Sequence, residues 1–304
     1  MGEHTGISWT DATWNPIRGC TRKSEGCRFC YAERVAARFS DQGAPYHGFA
    51  ERGRPGSKWT GRVELVEKAL DLPIRWRKPR RIFVNSMSDL FHESLPDEAI
   101  DRVFAVMALA PQHTFQVLTK RADRMRRYFL GISEMPNEPA ARDAMIEGAA
   151  QALFAQMSGG VDSSLWLAVH MPLPNVWLGV SVENQAAWDE RWPALAETPA
   201  AVRFVSFEPL IGPIDTGLTG GGDAPDWWII GGESGPGARP MRREWAQALI
   251  RQCDAVGAAP WFKQVGDSRP DEAGWPRGIT GKGDDPAQWP SGLHVQRFPE
   301  ITHE

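Results

Sequence analysis

Three cysteines dominate the chemistry this sequence could perform. In the stretch "GCTRKSEGCRFCYAERVAARF" they are spaced Cys20-x6-Cys27-x2-Cys30, so three of the chain's four cysteines fall within eleven residues. A disulfide consumes thiols in pairs, and a structural zinc usually takes four ligands. A four-iron cubane held by three thiolates keeps one iron open, the counterpart of a catalytic zinc with a vacant position. Lys23, Ser24, Glu25 and Gly26 supply a polar, flexible stretch able to wrap an inorganic core. After Cys30 the pattern turns helical, with Tyr31, Val35 and Phe39 at four-residue spacing. The cysteines therefore end at a helix N-terminus, where dipole and N–H groups favour thiolates. A Cys3His zinc site using His47 is the alternative; His47 stands seventeen positions past Cys30, beyond the predicted helix, so spacing and context favour the cluster. Cys253, alone in an amphipathic helix, reads as a small core residue.

The elements that must position these thiols recur as short β-branched or aromatic runs, each followed by a helical pattern. The first strand is weakly marked, falling on "ISWT" from Ile7 or on the "NPIRG" before Cys20. Clearer runs begin at residues 81, 114, 176, 202, 227 and 260. Between the first two of these, Ile100, Val103, Phe104 and Met107 keep helical spacing, with Pro96 ahead and Pro111 behind. Strand–helix alternation predicts a parallel sheet covered on both faces. Asn85, Asp89, Lys120, Glu183, Asn184, Glu208 and Glu233 all follow strand C-termini, which in a barrel converge on one mouth. The expected fold is α/β, a partial (βα)6 TIM-like barrel over residues 1–266. Residues 131–172 read as an insertion, and 267–304 as a Gly/Pro-rich C-terminal extension, lying over the domain or partly disordered. A carboxylate ending a buried strand is costly unless paired. Glu183, Glu208 and Glu233, with Lys120 and Lys263 as counter-charges, thus predict a polar pocket.

Cys27-Arg28-Phe29-Cys30 resembles the end of the radical S-adenosylmethionine signature, two cysteines two residues apart with an aromatic before the last. "ISWTDATWNPIRGC", "LTKR", "NVWLGVSVEN", "SFEPL" and "GGESGPGARPM" are similar to a phage- and bacteria-associated family of unknown function within that superfamily. The resemblance implies a [4Fe–4S] cluster on Cys20, Cys27 and Cys30, S-adenosyl-L-methionine at the open iron, a partial barrel and an external one-electron reductant. Two departures stand out: six residues instead of three separate the first two cysteines, and "GGE" follows a later strand than usual. Either Ser86 to Asp89 take the role of that motif, or Glu233 does. The residues expected around the cofactor are Ser86, Asp89, Lys120, Ser181, Glu183, Asn184, Glu208, Gly231, Gly232 and Glu233, with Trp9, Trp14 and Trp59 as a roof.

Composition narrows the setting. The 304 residues are 42% hydrophobic and 24% charged with a net charge of −4, an ordinary globular balance that leaves room for local basic patches. No apolar run approaches the ~20 residues of a membrane span, and no secretory signal opens the chain, so a cytoplasmic protein with reduced thiols is expected. Positive charge gathers in "RWRKPRR" (75–81, with Trp76), in "KRADRMRR" (120–127) and at Arg239, Arg242 and Arg243. These could track a phosphate backbone, or form solvated helix faces. "LTK" resembles radical lyases that repair DNA photoproducts, so DNA or RNA leads as substrate. The rival is a non-catalytic, metal-stapled nucleic-acid-binding protein. "SGGVDSS" (158–164) resembles the phosphate loop of ATP pyrophosphatases, but follows "ALFAQM", no buried strand, inside the insertion.

Overall fold

The computed structural model describes residues 5–53, 56–131, 139–157, 168–220 and 223–300. The "SGGVDSS" stretch lies outside the described residues. The chain divides into two compact units. The first takes Met1–Thr21, Ala32–Leu178 and Glu197–Ala201; the second takes Arg22–Tyr31, Gly179–Ala196 and Val202–Glu304.

In chain order the first elements are β1 (Ala12–Trp14), β2 (Ile17–Arg18), α1 (Tyr31–Arg38), β3 (Ala50–Arg52), β4 (Ser57–Trp59), β5 (Glu64–Leu65), α2 (Glu67–Leu70) and α3 (Leu72–Arg75). Then come β6 (Arg81–Val84), α4 (Asp97–Leu109), β7 (Thr114–Thr119), α5 (Ala122–Leu130) and α6 (Pro139–Met157). The remainder is β8 (Val176–Ser181), α7 (Gln185–Ala196), β9 (Val202–Phe207), β10 (Trp227–Gly231), α8 (Arg243–Ala255) and β11 (Ala259–Gln264). The fold is mixed α/β, built on a seven-stranded parallel sheet in the order β1-β6-β7-β8-β9-β10-β11. Chain order and sheet order coincide after β1, without the reversal that marks a doubly wound fold. β2 pairs antiparallel with β5, and β3 with β4.

The first unit buries Ile82, Val84, Phe115 and Val117 of its strands and Ile100, Val103 and Phe104 of α4. The latter three are among the residues whose spacing predicts that helix. Pro96 caps it, Asp97 and Glu98 complement its positive end, and α5 closes on Gly131 in the left-handed region at φ 68°. The first strand falls between the two predicted stretches. Ala12 and Trp14 point inward and are fully buried, whereas Ile7 precedes a turn and Ile17 belongs to the small β2–β5 pair. The tryptophans expected as a roof are core side chains instead. Trp14 donates its indole N–H to Ala69 O at 2.7 Å, Trp9 packs on Phe83 at 4.7 Å, and Trp59 is buried, its backbone N–H donating to Glu33 Oε1. Helix α1 forms where expected but buries Ala32, Glu33, Ala36 and Ala37, leaving Tyr31 and Phe39 exposed. Small residues let this helix pack closely, so its inner face is not the apolar one its large side chains suggest. The predicted insertion contains α6, whose Arg142 pairs with Asp97 and Asp101 of α4.

In the second unit β9, β10 and β11 are almost wholly buried, with Trp227 and Trp228 at zero exposure. Past β11 the described residues form two short 3-10 turns, and Trp275, Trp289 and Leu293 are buried. Trp289 meets Phe262 edge-on at 4.8 Å, and Trp275 donates to Met241 O at 2.6 Å. Cys253 lies in the core on α8, where burial pushes its thiol up to about 12.

Candidate functional site

Cys20 belongs to the first unit, just past β2, and its surroundings come from the C-terminal ends of β6 and β7. Arg121, following β7, is 4% exposed and places Nη1 4.0 Å from the Cys20 sulfur. The same guanidinium donates to Asp89 Oδ2 at 3.0 Å, Glu93 Oε2 at 2.6 Å and Thr21 Oγ1 at 2.8 Å. Burial would lower the Arg121 pKa; the charges of Asp89, Cys20 and Glu93 raise it instead. This cation therefore stays charged beside the sulfur, paired with two carboxylates. Thr21 Oγ1 also meets His92 Nε2 at 2.9 Å. His92 Nδ1 accepts from Ser94 N–H at 3.1 Å, so the ring proton sits on Nε2.

Asp89 is saturated. Its two oxygens accept from Thr119 Oγ1 (2.7 Å), Phe91 N–H (3.0 Å), Lys120 N–H (3.2 Å) and Arg121. Four donors fill the lone-pair directions of one carboxylate, so Asp89 organises this strand end and has little left for a ligand. Ser86 Oγ donates to Asn15 Oδ1 at 3.2 Å, and Lys120 reaches Asp89 through its backbone. Asn85 adopts φ 57°, which asparagine tolerates better than most residues, and its Oδ1 accepts from Ile17 N–H at 3.2 Å. Its Nδ2 is buried with no partner among the described residues.

Cys27 and Cys30 belong to the second unit with residues 22–31. Cys27 closes a single 3-10 turn, its sulfur accepts from Lys23 N–H at 3.4 Å, and Cys30 N–H bonds Cys27 O at 3.3 Å. Two strand-end glutamates hold this loop. Glu183, past β8, accepts from Gly26 N–H at 3.4 Å and pairs at 2.8 Å with Arg191, both side chains 1% exposed. A Cβ on Gly26 would sit 3.0 Å from Glu183 Cδ, so glycine permits this approach. Glu233, past β10, takes the guanidinium of Arg239 on both oxygens at 2.9 and 2.7 Å. Arg239 then covers the Phe29 ring at 5.5 Å, and Arg28 lies 5.3 Å from its centroid. Gly237, at φ 79°, passes so near that a Cβ would lie 3.1 Å from Phe29. Glu208 pairs with Lys263 at 2.6 Å.

A family profile described as "Protein of unknown function (DUF5131)" matches residues 4–293. The chain belongs to the DUF5131 family. No curated protein and no solved structure matches it. What this DUF5131 chain does must come from its site.

Among the predicted cofactor contacts, Glu183 and Glu233 anchor the Cys27–Cys30 turn. Lys263, expected as a counter-charge to the three glutamates, pairs with Glu208; Arg191 and Arg239 serve Glu183 and Glu233. Arg191 lies two turns into the helix after Glu183, a spacing that could have revealed it. Ser181 offers its carbonyl to Arg191 at 2.6 Å, and Asn184 Oδ1 caps α7 through Ala187 N–H at 3.0 Å. Gly232 is demanded by backbone crossing, since a Cβ there would come within 2.0 Å of Val265 O. The basic patches separate. Arg75 pairs with Asp71, Arg81 with Asp11, and Arg80 covers Trp76 at 5.1 Å, all at the N-terminal ends of β6 and β7. Arg124, Arg126 and Arg127 are ion-paired along α5, and Arg242 pairs with Glu244.

None of the four cysteines is in a disulfide; Cys20, Cys27 and Cys30 are half-buried. Among the described residues no three His, Cys, Asp or Glu side chains are drawn together as a metal cage, and His47 is exposed in a turn before β3. Thiols are the donors that an iron–sulfur cluster takes. One thiol faces a buried cation, one accepts a backbone N–H, and the third precedes a helix start. Ser24 Oγ, inside the cysteine loop, is buried with no partner among the described residues.

Proposed function

We propose that this chain is a radical S-adenosylmethionine enzyme in which Cys20, Cys27 and Cys30 hold a [4Fe–4S] cluster and leave its fourth iron to the cofactor. The observation that carries this reading is the donor set: three thiols within one eleven-residue stretch, none in a disulfide. The bound pair would supply reductive cleavage of the sulfonium and abstraction of hydrogen from a substrate, with an external one-electron reductant. The chain's own part is to hold and to shield. Arg121 places its guanidinium against Cys20. Glu183 and the Glu233–Arg239 pair fix the loop that carries Cys27 and Cys30. Ser24 Oγ, on the cysteine loop, has no partner among the described residues and is available to a bound group. The sheet winds strand after strand without reversal, which supports the partial (βα)6 barrel.

Nucleic acid is the substrate class we favour. Arg22, Lys23 and Arg28 are exposed on the cysteine loop itself, a basic rim suited to phosphate. Reduced thiols suit a cytoplasmic setting. The test is anaerobic incubation with reductant and S-adenosylmethionine, with and without DNA, RNA or peptide pools, reading 5′-deoxyadenosine. Release stimulated by a nucleic acid is the expected result. Stoichiometric zinc with no cleavage would turn the reading to a metal-stapled nucleic-acid binder.

A further inference from the structure

Helix α6 turns an uncharged face to solvent. Seven of its described residues are fully exposed, among them Met145, Gly148, Ala152 and Met157, and none carries a charge. On α5, by contrast, the fully exposed residues are Asp123 and Arg127, as expected of a helix face that meets only water. Met145 and Met157 are 49% and 44% exposed, two of the four large apolar side chains left open among the described residues. Met145, Ala149, Ala152 and Gln156 recur at four-, three- and four-residue steps, the spacing of a seam between two paired helices. Open space lies along that seam. A cleft of about 300 Å³ lies between Met145, Ala149 and Ala152 and the Glu98 and Asp101 side of α4. A second, of about 660 Å³, lies between Met157 and Lys68 of α2. Arg102, Leu153 and Gln156 line both, so the two clefts adjoin.

Two charges bracket the seam. Lys68 shares its cleft with Met157 at the C-terminal end of α6, and Glu98 shares its cleft with Met145 nearer the N-terminal end. Both are exposed, and among the described residues neither enters an ion pair. Their neighbour Arg102 is engaged, holding Glu67 at 2.6 Å. A second α6 laid parallel would set like charge against like at each end. Laid antiparallel about a two-fold axis, it sets each Lys68 near the partner's Glu98. The charge order is thus self-complementary, which a second copy satisfies and a foreign helix would have to match with its own sequence. Gly148 is the midpoint of α6, where such an axis would pass. A Cβ there would meet nothing within 4 Å, so no contact inside the described chain calls for glycine, which helix interiors disfavour. At the crossing of two close helices its lack of a side chain has a use. We propose that this chain forms a two-fold dimer through α6, two antiparallel copies crossing at Gly148, with Lys68 of each facing the partner's Glu98. The dimer does not depend on what the thiols hold.

Sedimentation equilibrium of the full chain tests it, and a concentration-dependent dimer is the expected result. Ala152→Glu, which buries an unpaired charge in the seam of each copy, should weaken the dimer about a hundredfold. Position 152 is exposed in the single chain, so the melting curve of dilute, monomeric protein should not change. Gly148→Leu has open space in the monomer and should also abolish the dimer, and so speaks even if Ala152→Glu fails to fold. Lys68→Glu and Glu98→Lys should each weaken the dimer about tenfold, since each opposes like charges at both ends of the two-fold. The variant carrying both restores opposite charges and should recover the original affinity to within about threefold. That recovery separates an antiparallel pair of this chain from any other occupant of the groove. Monomer at every concentration up to about 100 µM would overturn the proposal. So would a dimer untouched by both seam variants, or charge variants whose losses add together or are absent.

Discussion

Arg121 sits where three lines of chemistry meet: a buried carboxylate, a partly exposed one, and the first cysteine. Side chains of Arg121 and Asp89 are 3% and 7% exposed, so removing one partner strands the other's charge away from water. Arg121→Met should cost about 3–5 kcal/mol in chemical denaturation, against under about 1 kcal/mol for Arg127→Met on the exposed face of α5. Equal losses would mean that Asp89 is not the buried anion its four donors indicate. The sequence displays the charged residues but not their partners. Cys20, Asp89 and Glu208 are legible by type and position at strand ends. That Arg121 serves Asp89 across 32 residues, or Lys263 serves Glu208 across 55, depends on strand adjacency that no local pattern encodes.

At the scale of elements, the Cys27–Cys30 turn is held by neighbours rather than by its own hydrogen bonds. Glu233→Gln weakens the grip on Arg239 and hence the cover over Phe29. Alkylation of Cys27 and Cys30 by iodoacetamide should then accelerate about tenfold, with Cys20 unchanged; mass spectrometry of the labelled peptides reads each site. Uniform acceleration at all three would point to general unfolding. A second expectation concerns His113, ahead of β7, whose Nε2–H donates to Pro73 O at 3.0 Å and whose Nδ1 is buried. Burial holds its pKa below the usual value. The unfolded chain therefore binds this proton first, near pH ~6.5, and the stability from neutral His113 is present above that pH and lost as pH falls below it. His113→Asn should flatten the slope of stability below about pH 6.5; an unchanged slope would assign it to other groups. Helices α4 and α8 could be read from apolar spacing because large side chains mark their inner faces. The inner face of α1 could not, since alanines do the packing there and Tyr31 and Phe39 turn outward.

Over the whole molecule, the strand–helix rhythm gives away the parallel sheet, because strands buried on both faces must be continuously apolar. The division into two units is not legible, since it cuts the chain at several places and follows long-range contacts. Among the described residues no helix is long and apolar enough to cross a membrane. Cys20 stands with one unit and Cys27 and Cys30 with the other, yet a single loop carries all three. The account turns on whether those thiols jointly hold iron. The most direct measurement is iron and sulfide content with electron paramagnetic resonance on anaerobically purified, reduced protein, before and after adding S-adenosylmethionine, beside the Cys20→Ser, Cys27→Ser and Cys30→Ser variants. About four irons per chain, a cluster signal that shifts on adding the sulfonium, and loss of both in each variant are predicted. Iron-free protein, or a cluster signal indifferent to the sulfonium, would contradict the account.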